Sequence, residues 1–174
     1  MALRNIRTIG DEILRKEAKS VKAMTPRTEK LIEDMLDTMY DAYGVGLAAP
    51  QVGILKRIVV IDVSENQDEP YVLINPEIIE TSGSQTGSEG CLSVPGKHAT
   101  VTRPDYAKVR AQDENMEWFE LEGEGLLARA ICHECDHLDG ILYVDKKEGP
   151  LLDNEEPQEE EEYGIVILFS LKLL

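Results

Sequence analysis

The chain has 174 residues, of which 42% are hydrophobic and 30% are charged, and its formal net charge is −16. This length and composition suit one globular domain with a single core. Eight of the acidic residues lie between Glu148 and Glu162, where there is no Lys or Arg, so the rest of the chain is only moderately acidic. Because phosphate contacts need clustered Lys and Arg, this balance argues against direct binding of nucleic acid through a broad basic face.

Targeting signals and disulfides are not indicated by the sequence. The N-terminus has no apolar run long enough for a signal peptide, and no segment reaches the about 20 apolar residues that span a bilayer. Three cysteines, two of them only three positions apart, do not make a convincing disulfide framework. We therefore expect a cytoplasmic protein with reduced thiols and no membrane partner.

The first regular element that the sequence predicts is a helix from Thr25 to Tyr43. Thr25 can cap this helix and Pro26 fits its first turn. An apolar stripe follows one face and consists of Leu31, Ile32, Met35, Met39 and Tyr40. Gly44 is expected to end the helix, because glycine is common just after a helix C-terminus.

A strand-rich middle separates this helix from a second one. The predicted strands are residues 57–63, 71–79, 99–113 with a break at Pro104, and 118–125. The second helix is predicted from about Gly125 to Leu138, with Gly140 as its stop. This order predicts an α+β fold, with mostly antiparallel sheets packed around a central helix that carries HECDH and with a further helix near the N-terminus.

The composition changes abruptly after Lys147. Residues 148–162 are acidic and contain proline, which is typical of a solvated, mobile linker. Residues 164–174 are apolar but too short to span a membrane, and they fit either an added edge strand or an aggregation-prone tail. We therefore divide the chain into a folded domain of residues 1–147 and a C-terminal segment of residues 148–174.

The motif HECDH, residues 133–137, carries the clearest chemical signal. Residues four apart lie on the same face of an α-helix, so His133 and His137 would present two imidazoles to one point. Glu134 lies close enough to reach a water there but is poorly placed to bind a metal itself. The alternative interpretation is a surface helix with two solvated histidines.

Neighbouring residues of the same helix are weaker candidates. Cys132 and Cys135 point away from the face shared by the two histidines, so both are interpreted as small apolar core residues. Asp136 and Asp139 also lie off this face, where contact with solvent or with the helix end is expected. His98 stands alone in a polar stretch and is interpreted as a surface or cleft-edge histidine.

A catalytic metal site needs a third protein ligand, and the sequence offers two sources. Glu155 and Glu156 follow His137 at a distance used by carboxylate ligands of zinc peptidases, but they lie in the acidic run. Cys91 lies in EGCLSVPG, where glycines and proline indicate a tightly specified backbone. The residues alone leave both choices open.

A third stretch, GVGLAAPQVG at residues 44–53, combines small residues with one amide side chain, Gln51. Small residues permit close approach of the backbone to another group. The lysine and glycine spacing of a phosphate-binding loop is absent, which argues against that function.

Taken in order, GVGLAAPQ, EGCLS and HECDH resemble the three motifs of the peptide deformylases. The resemblance extends from residue 1 to about residue 146, and it is closest to bacterial members that lack long insertions. It implies a hydrolase that removes the N-terminal formyl group from N-formylmethionyl nascent peptides and releases formate.

Carried over position by position, the resemblance implies that Cys91, His133 and His137 are the metal ligands. It also implies that Glu134 is the acid–base that activates a metal-bound hydroxide and protonates the leaving amine. The thiolate ligand tolerates Fe(II) as well as zinc. The expected metal is Fe(II) in the cell, with Zn(II), Ni(II) or Co(II) possible as prepared.

The same resemblance assigns the groups around the substrate. Gln51 and the backbone N–H of Leu92 are expected to face the developing oxyanion, and Gly46 and Leu47 to line the substrate cleft. An ion pair between Glu89 and Arg103 is expected to hold the loop of the second motif in place.

Two departures from the family pattern affect the expected partners. Bacterial members often carry a basic C-terminal helix that assists docking at the ribosome, whereas this chain ends in EEPQEEEEYGIVILFSLKLL. Transient ribosome association is expected from the family, but the acidic and apolar residues here do not match the basic helix of that docking mode. Position 98, which is often arginine in relatives, is histidine in this chain. We therefore hypothesise that His98 binds the downstream part of the peptide more weakly or in a pH-dependent way.

Two other functions are weighed against this one. A zinc endopeptidase would require Glu155 or Glu156 as a ligand and would not need Cys91. A catalytically silent metal-binding or interaction module would require a damaged site, yet every motif residue is present.

Overall fold

The structure is a computed structural model, and it describes residues 2–155. The helices within this range are α1 (Pro26–Asp41) and α2 (Gly125–Leu138). The strands are β1 (Gly46–Ala48), β2 (Ile58–Ile61), β3 (Tyr71–Ser82), β4 (Gln85–Cys91), β5 (Val94–Arg103), β6 (Tyr106–Gln112), β7 (Trp118–Glu124) and β8 (Lys147–Asp153). No helix of the described range is long and apolar enough to cross a membrane.

The strands form two antiparallel sheets. The larger sheet has the order β1-β2-β3-β6-β7, and the smaller one has the order β4-β5-β8. Strand β4 ends at Cys91, so the smaller sheet delivers this cysteine to the interior. The predicted α+β fold with antiparallel sheets is confirmed.

Helix α1 starts as predicted and ends earlier than predicted. The side chain of Thr25 accepts a hydrogen bond from Thr28 N at 3.2 Å, and Pro26 occupies the first turn. The left-handed residue that follows the helix is Tyr43, with φ of 57°, and not Gly44. Gly44 is required for a different reason, because a Cβ there would lie 2.7 Å from Cδ1 of Leu92.

Helix α2 is the centre of the molecule. It packs against strands of the larger sheet and against β5 of the smaller one, and most of its residues are buried. Gly140 follows its end in the left-handed region, with φ of 73°, as the sequence predicted. A Cβ at Gly140 would lie 2.5 Å from the carbonyl oxygen of Arg15, so glycine also permits close packing there.

Three apolar clusters hold these layers together. One lies between α2 and the larger sheet, and a second lies between α1 and strands β1 and β2. The third is small and lies beneath the smaller sheet. Its buried members are Cys91, Val94, Ala99, Val101 and Tyr143.

Strand β8 corrects the expectation for the start of the acidic segment. Residues 148–153 were predicted to be a solvated linker, but they pair antiparallel with β5, and His98 lies opposite Leu152. All seven side chains of β8 are exposed, which explains why the composition resembled a linker. The strand is held by backbone pairing along the edge of the sheet. The predicted linker beyond residue 155 and the apolar tail of residues 164–174 lie outside the described residues.

Candidate metal centre

The two histidines of HECDH and one cysteine from the smaller sheet meet in the interior. His133 and His137 lie one turn apart on α2, and their Nε2 atoms are 3.2 Å apart. The Sγ of Cys91 lies 3.3 Å from Nε2 of His137. The donor atoms of all three residues lie within 4.8 Å of one another. The fold therefore gathers one sulfur and two nitrogens around a single point.

Glu89 orients one of these histidines. Its Oε1 lies 2.6 Å from Nδ1 of His133 and 2.6 Å from Nη2 of Arg103. Burial alone would raise the pKa of Glu89, but hydrogen bonds from His133 and Arg103 outweigh burial and hold this pKa well below its usual range. An ionised Glu89 can only accept, so Nδ1 of His133 carries the proton and Nε2 keeps its lone pair for a ligand.

Glu134 is a fully buried carboxylate beside the histidines. Within residues 2–155 neither of its oxygens has a hydrogen-bond partner. Burial raises the pKa of Glu134 well above its usual value, and the negative charge of Glu89 adds to this shift. Burying a carboxyl group without a protein partner costs free energy. Such an arrangement is typical of a group that acts on a ligand or a water molecule.

The backbone of β1 lies directly against Glu134. A Cβ at Gly46 would lie 2.4 Å from Oε1 of Glu134, so only glycine fits there. The small residues of GVGLAAPQ therefore do permit a close approach, as the sequence indicated. The side chain of Leu47 is fully buried in the cluster beneath α1.

Gln51 reaches the same interior point from a short 3-10 helix, Ala49–Val52. Its Oε1 accepts a hydrogen bond from Ala48 N at 2.8 Å, which fixes the orientation of the amide. Its Nε2 therefore faces Ser93 Oγ at 3.1 Å and Cys91 Sγ at 3.6 Å. Leu92 follows Cys91 and is almost completely buried.

The donor set fits a divalent metal ion. Burial and the nearby Glu134 raise the pKa of the Cys91 thiol, while burial and the nearby His133 lower the pKa of His137. The imidazole is therefore neutral, as a metal ligand must be. A bound cation would lower the thiol pKa and favour the thiolate. One thiolate and two imidazoles would supply three protein ligands, the number that catalytic zinc-type sites use.

The remaining candidates of α2 have other surroundings. Cys132 and Cys135 are buried in the cluster between α2 and the larger sheet, which agrees with their prediction as core residues. Asp139 pairs with Arg57 at 2.9 Å near the end of the helix. Asp136 differs from the expectation of solvent or helix-end contact, because it accepts a hydrogen bond from Arg103 at 2.6 Å.

The candidates outside α2 also have defined surroundings. Nδ1 of the partly buried His98 lies 2.8 Å from Oδ1 of Asn154, just after β8. Glu155 is exposed and is not part of the Cys–His–His cluster, and Glu156 lies outside the described residues. The cluster found in residues 2–155 thus contains Cys91 and no carboxylate from the acidic run.

Two residues near the centre were missed by the sequence analysis. Arg129 donates to Glu89 Oε2 at 2.6 Å, and the ring of Tyr143 stacks against that of His133 with centroids 6.2 Å apart. Arg129 precedes His133 by four residues, so helical spacing alone could have placed it on the histidine face. Nothing in the local sequence indicates that Tyr143 reaches the site.

Comparisons with known proteins agree with this geometry. Residues 3–151 match the family described as Polypeptide deformylase. The chain is 65% identical over 162 residues to Peptide deformylase of Lachnoclostridium phytofermentans, and the alignment covers 93% of this chain and 99% of that protein. A crystal structure of a peptide deformylase from Legionella pneumophila is 48% identical, with a TM-score of 0.82 over 84% of this chain and 87% of the other. One from Synechococcus elongatus, in complex with actinonin, is 46% identical, with a TM-score of 0.80 over 84% and 79% of the two chains.

An α+β fold that gathers a Cys–His–His donor set beside a buried glutamate has the groups of a metal-dependent hydrolase: three possible metal ligands and a neighbouring acid–base. The match over residues 3–151 and the identity of 65% narrow this class, and the chain belongs to the polypeptide deformylase family. The resemblance found in the three sequence motifs is confirmed, as is the expectation of an enzyme.

Proposed function

We propose that the protein removes the N-terminal formyl group from N-formylmethionyl peptides by hydrolysis and releases formate. The observation that carries the proposal is the convergence of Cys91 Sγ and the two histidine Nε2 atoms beside Glu134, whose oxygens lack a protein partner within residues 2–155. Amide hydrolysis needs an activated water, a proton carrier and stabilisation of an oxyanion, and a residue of this chain is available for each task.

Cys91, His133 and His137 would hold the metal ion, which we propose to be Fe(II) in the cell. When bound, this ion would act as a Lewis acid, which lowers the pKa of water and polarises a carbonyl group. The soft thiolate also accepts Zn(II), Ni(II) or Co(II). Glu89 orients the imidazole of His133, and the helical spacing places His137 on the same face of α2.

Glu134 would act as the acid–base. Its carboxylate removes a proton from the attacking water and later delivers a proton to the nitrogen of the leaving methionine. Burial supports this assignment, because it raises the pKa of Glu134 well above its usual value, and a raised carboxyl pKa is typical of a group that carries protons in catalysis.

Gln51 and the backbone N–H of Leu92 would stabilise the oxyanion that develops on the formyl group. The amide of Gln51 is held by Ala48 N, so its Nε2 stays directed toward the site. A fixed donor of this kind stabilises the transition state by about 3–4 kcal/mol.

The substrate backbone would lie along Gly46 and Leu47. Strand β1 is the edge of the larger sheet, and Gly46 brings this edge into contact with Glu134. An extended peptide can add to such an edge through main-chain hydrogen bonds. Main-chain pairing of this kind tolerates varied downstream side chains, as an enzyme that acts on nascent chains in the cytoplasm requires. Transient association with the ribosome remains a prediction.

The test is formate release from an N-formylmethionyl tripeptide by protein purified anaerobically with Fe(II). Cys91→Ala should lose both the metal and turnover. Cys135→Ala is the matched control, because it removes a buried thiol of α2 that is not part of the cluster. Turnover that survives in Cys91→Ala would show that the ligand set is wrong. Absence of turnover in wild-type protein that holds one metal ion would favour the silent metal-binding module.

A further inference from the structure

Glu89 is the centre of a buried network of hydrogen bonds next to the metal centre. Its Oε1 faces Nδ1 of His133 and Nη2 of Arg103, each at 2.6 Å. Its Oε2 accepts from Nε of Arg103 at 3.2 Å and from Nη1 of Arg129 at 2.6 Å. Four donors thus occupy the carboxylate, which cannot rotate without losing one of them.

Arg129 also connects the two layers that supply the metal ligands. It lies on α2, one turn before His133, and is only 5% exposed. Its Nη1 donates to the carbonyl oxygen of Val101 on β5 at 3.2 Å, and its Nη2 reaches that of Gln85 on β4 at 3.5 Å. One guanidinium group therefore joins the helix of the histidines to the sheet that ends in Cys91.

The distance between the smaller sheet and α2 determines how far Cys91 lies from the two histidines. Cys91 comes from β4, whereas both histidines come from α2, and no backbone pairing joins the two elements. The separation of Sγ from the two Nε2 atoms therefore depends on side-chain contacts between the layers. Arg103 holds Glu89 and Asp136, and Arg129 holds Glu89 and two strand carbonyls.

We propose that Arg129 is a positioning residue of the metal centre. It fixes the second oxygen of Glu89, so that the first stays directed at Nδ1 of His133, and it keeps β4 at the distance at which Cys91 completes the donor set. The inference rests on the proposed function for the identity of the metal ligands, but not for the reaction. Its consequence is a change in metal affinity and ligand geometry.

The test uses the full chain loaded with Co(II), whose absorption spectrum reports thiolate coordination and coordination geometry. Arg129→Met should bind Co(II) about 10–100-fold more weakly, as loss of outer contacts to a metal ligand typically does, and its Co(II) spectrum should change. Arg129→Lys keeps the charge but lacks the two-pronged donor, so its affinity should lie between those of Arg129→Met and wild type.

Arg57→Met is the matched control. Arg57, the residue before β2, also bonds the C-terminal end of α2, through Leu138 O and Asp139, but unlike Arg129 it makes no hydrogen bond to Glu89. The affinity and spectrum of this variant should match wild type, even where its melting temperature falls as much as that of Arg129→Met. If Arg129→Met does not fold, Arg129→Gln replaces it, because it keeps an N–H donor without the charge.

Wild-type affinity and spectrum in the folded variants at position 129 would overturn the proposal. An equal loss of affinity in Arg57→Met would also overturn it, because the effect would then follow from general destabilisation. Formate release is measured separately. Wild-type protein without turnover, combined with the expected order of Co(II) affinities, would reject the proposed reaction and support the positioning role.

Discussion

The carboxylate of Glu134 lies against the backbone of Gly46, where an added Cβ would be 2.4 Å from Oε1. The proposed acid–base and the strand along which the substrate would lie are therefore in direct contact. Neither residue can be placed independently of the other. This contact explains why a glycine occurs at this point in a strand whose other residues are buried and apolar.

Gly46→Ala should impair catalysis far more than folding. The added methyl group must displace Glu134 or the strand, and a misplacement of about 1 Å in a catalytic group can lower the rate about 100-fold. Overpacking should cost about 1–3 kcal/mol of unfolding free energy. Formate release and thermal melting measure the two effects. Gly123→Ala is the control for overpacking alone, because its Cβ would meet Cδ2 of Leu127, and not Glu134, at a similar 2.5 Å. Turnover in Gly46→Ala equal to that of the control would contradict the assigned contact.

Glu134→Gln should keep one metal ion per chain and lose turnover by about 10²–10⁴-fold, the usual contribution of a general acid–base. The amide has nearly the same volume as the carboxylate, so the buried site should keep its shape. Metal content and formate release should be measured on the same sample. Near-normal turnover would exclude Glu134 from the proposed role.

Gln51→Leu should lower kcat by about 10²–10³-fold if Gln51 stabilises the oxyanion. The same substitution also removes the bond from Ala48 N, so melting temperature must be measured alongside. Ser93→Ala is the control, because it removes a partner of Gln51 Nε2 while keeping both the amide and its bond from Ala48 N. The prediction fails if Ser93→Ala and Gln51→Leu reduce kcat equally.

Asp62 should make stability depend on pH in the acidic range. Burial would raise the pKa of Asp62, but bonds from Ser64 and Tyr40 outweigh burial and hold it below the ordinary value of 3.8. The folded state thus binds this proton less tightly than the unfolded state, so the stabilising contribution is complete above that ordinary value and is lost as the pH falls through the folded pKa. Between pH 5 and pH 3, in urea titrations, wild type should lose more unfolding free energy than Asp62→Asn.

Tyr40→Phe provides an intermediate case for this measurement, because it removes only one of the bonds to Asp62. Its loss of unfolding free energy should lie between those of wild type and Asp62→Asn. If the Asp62→Asn curve runs parallel to wild type over the whole range, the hydrogen bonds at Asp62 do not shift its proton affinity.

Truncation tests where the folded domain ends. A chain that ends at residue 155 keeps β8 and its pairing with β5, whereas a chain that ends at residue 147 loses both. The shorter chain should melt several degrees lower, since 1 kcal/mol shifts the melting temperature of a domain of this size by about 2–8 °C. Equal melting temperatures would support the original division of the chain at residue 147.

The elements with a strong local pattern were predicted correctly. The apolar stripe of α1, the β-branched residues of β2 and the HECDH spacing on α2 all follow from contacts within a few residues. Strands β1, β4 and β8 were not predicted, because their glycines and polar side chains carry no strand pattern. Pairing with neighbouring strands stabilises them, and pairing is not visible in local sequence.

The metal centre also has one part that local sequence predicted and another that depends on tertiary structure. The sequence by itself determined the histidine pair and the adjacent glutamate, because helical geometry places residues four apart on one face. Local sequence did not choose between Cys91 and the acidic run, and the choice was made by resemblance to a family. Tertiary structure decided the distances, since it brings Cys91 Sγ to 3.3 Å from a histidine 46 positions later. Tertiary structure also decided that Arg129 pairs with Glu89. A buried charge needs a partner, and the packing of α2 on the sheet determines which residue that partner is.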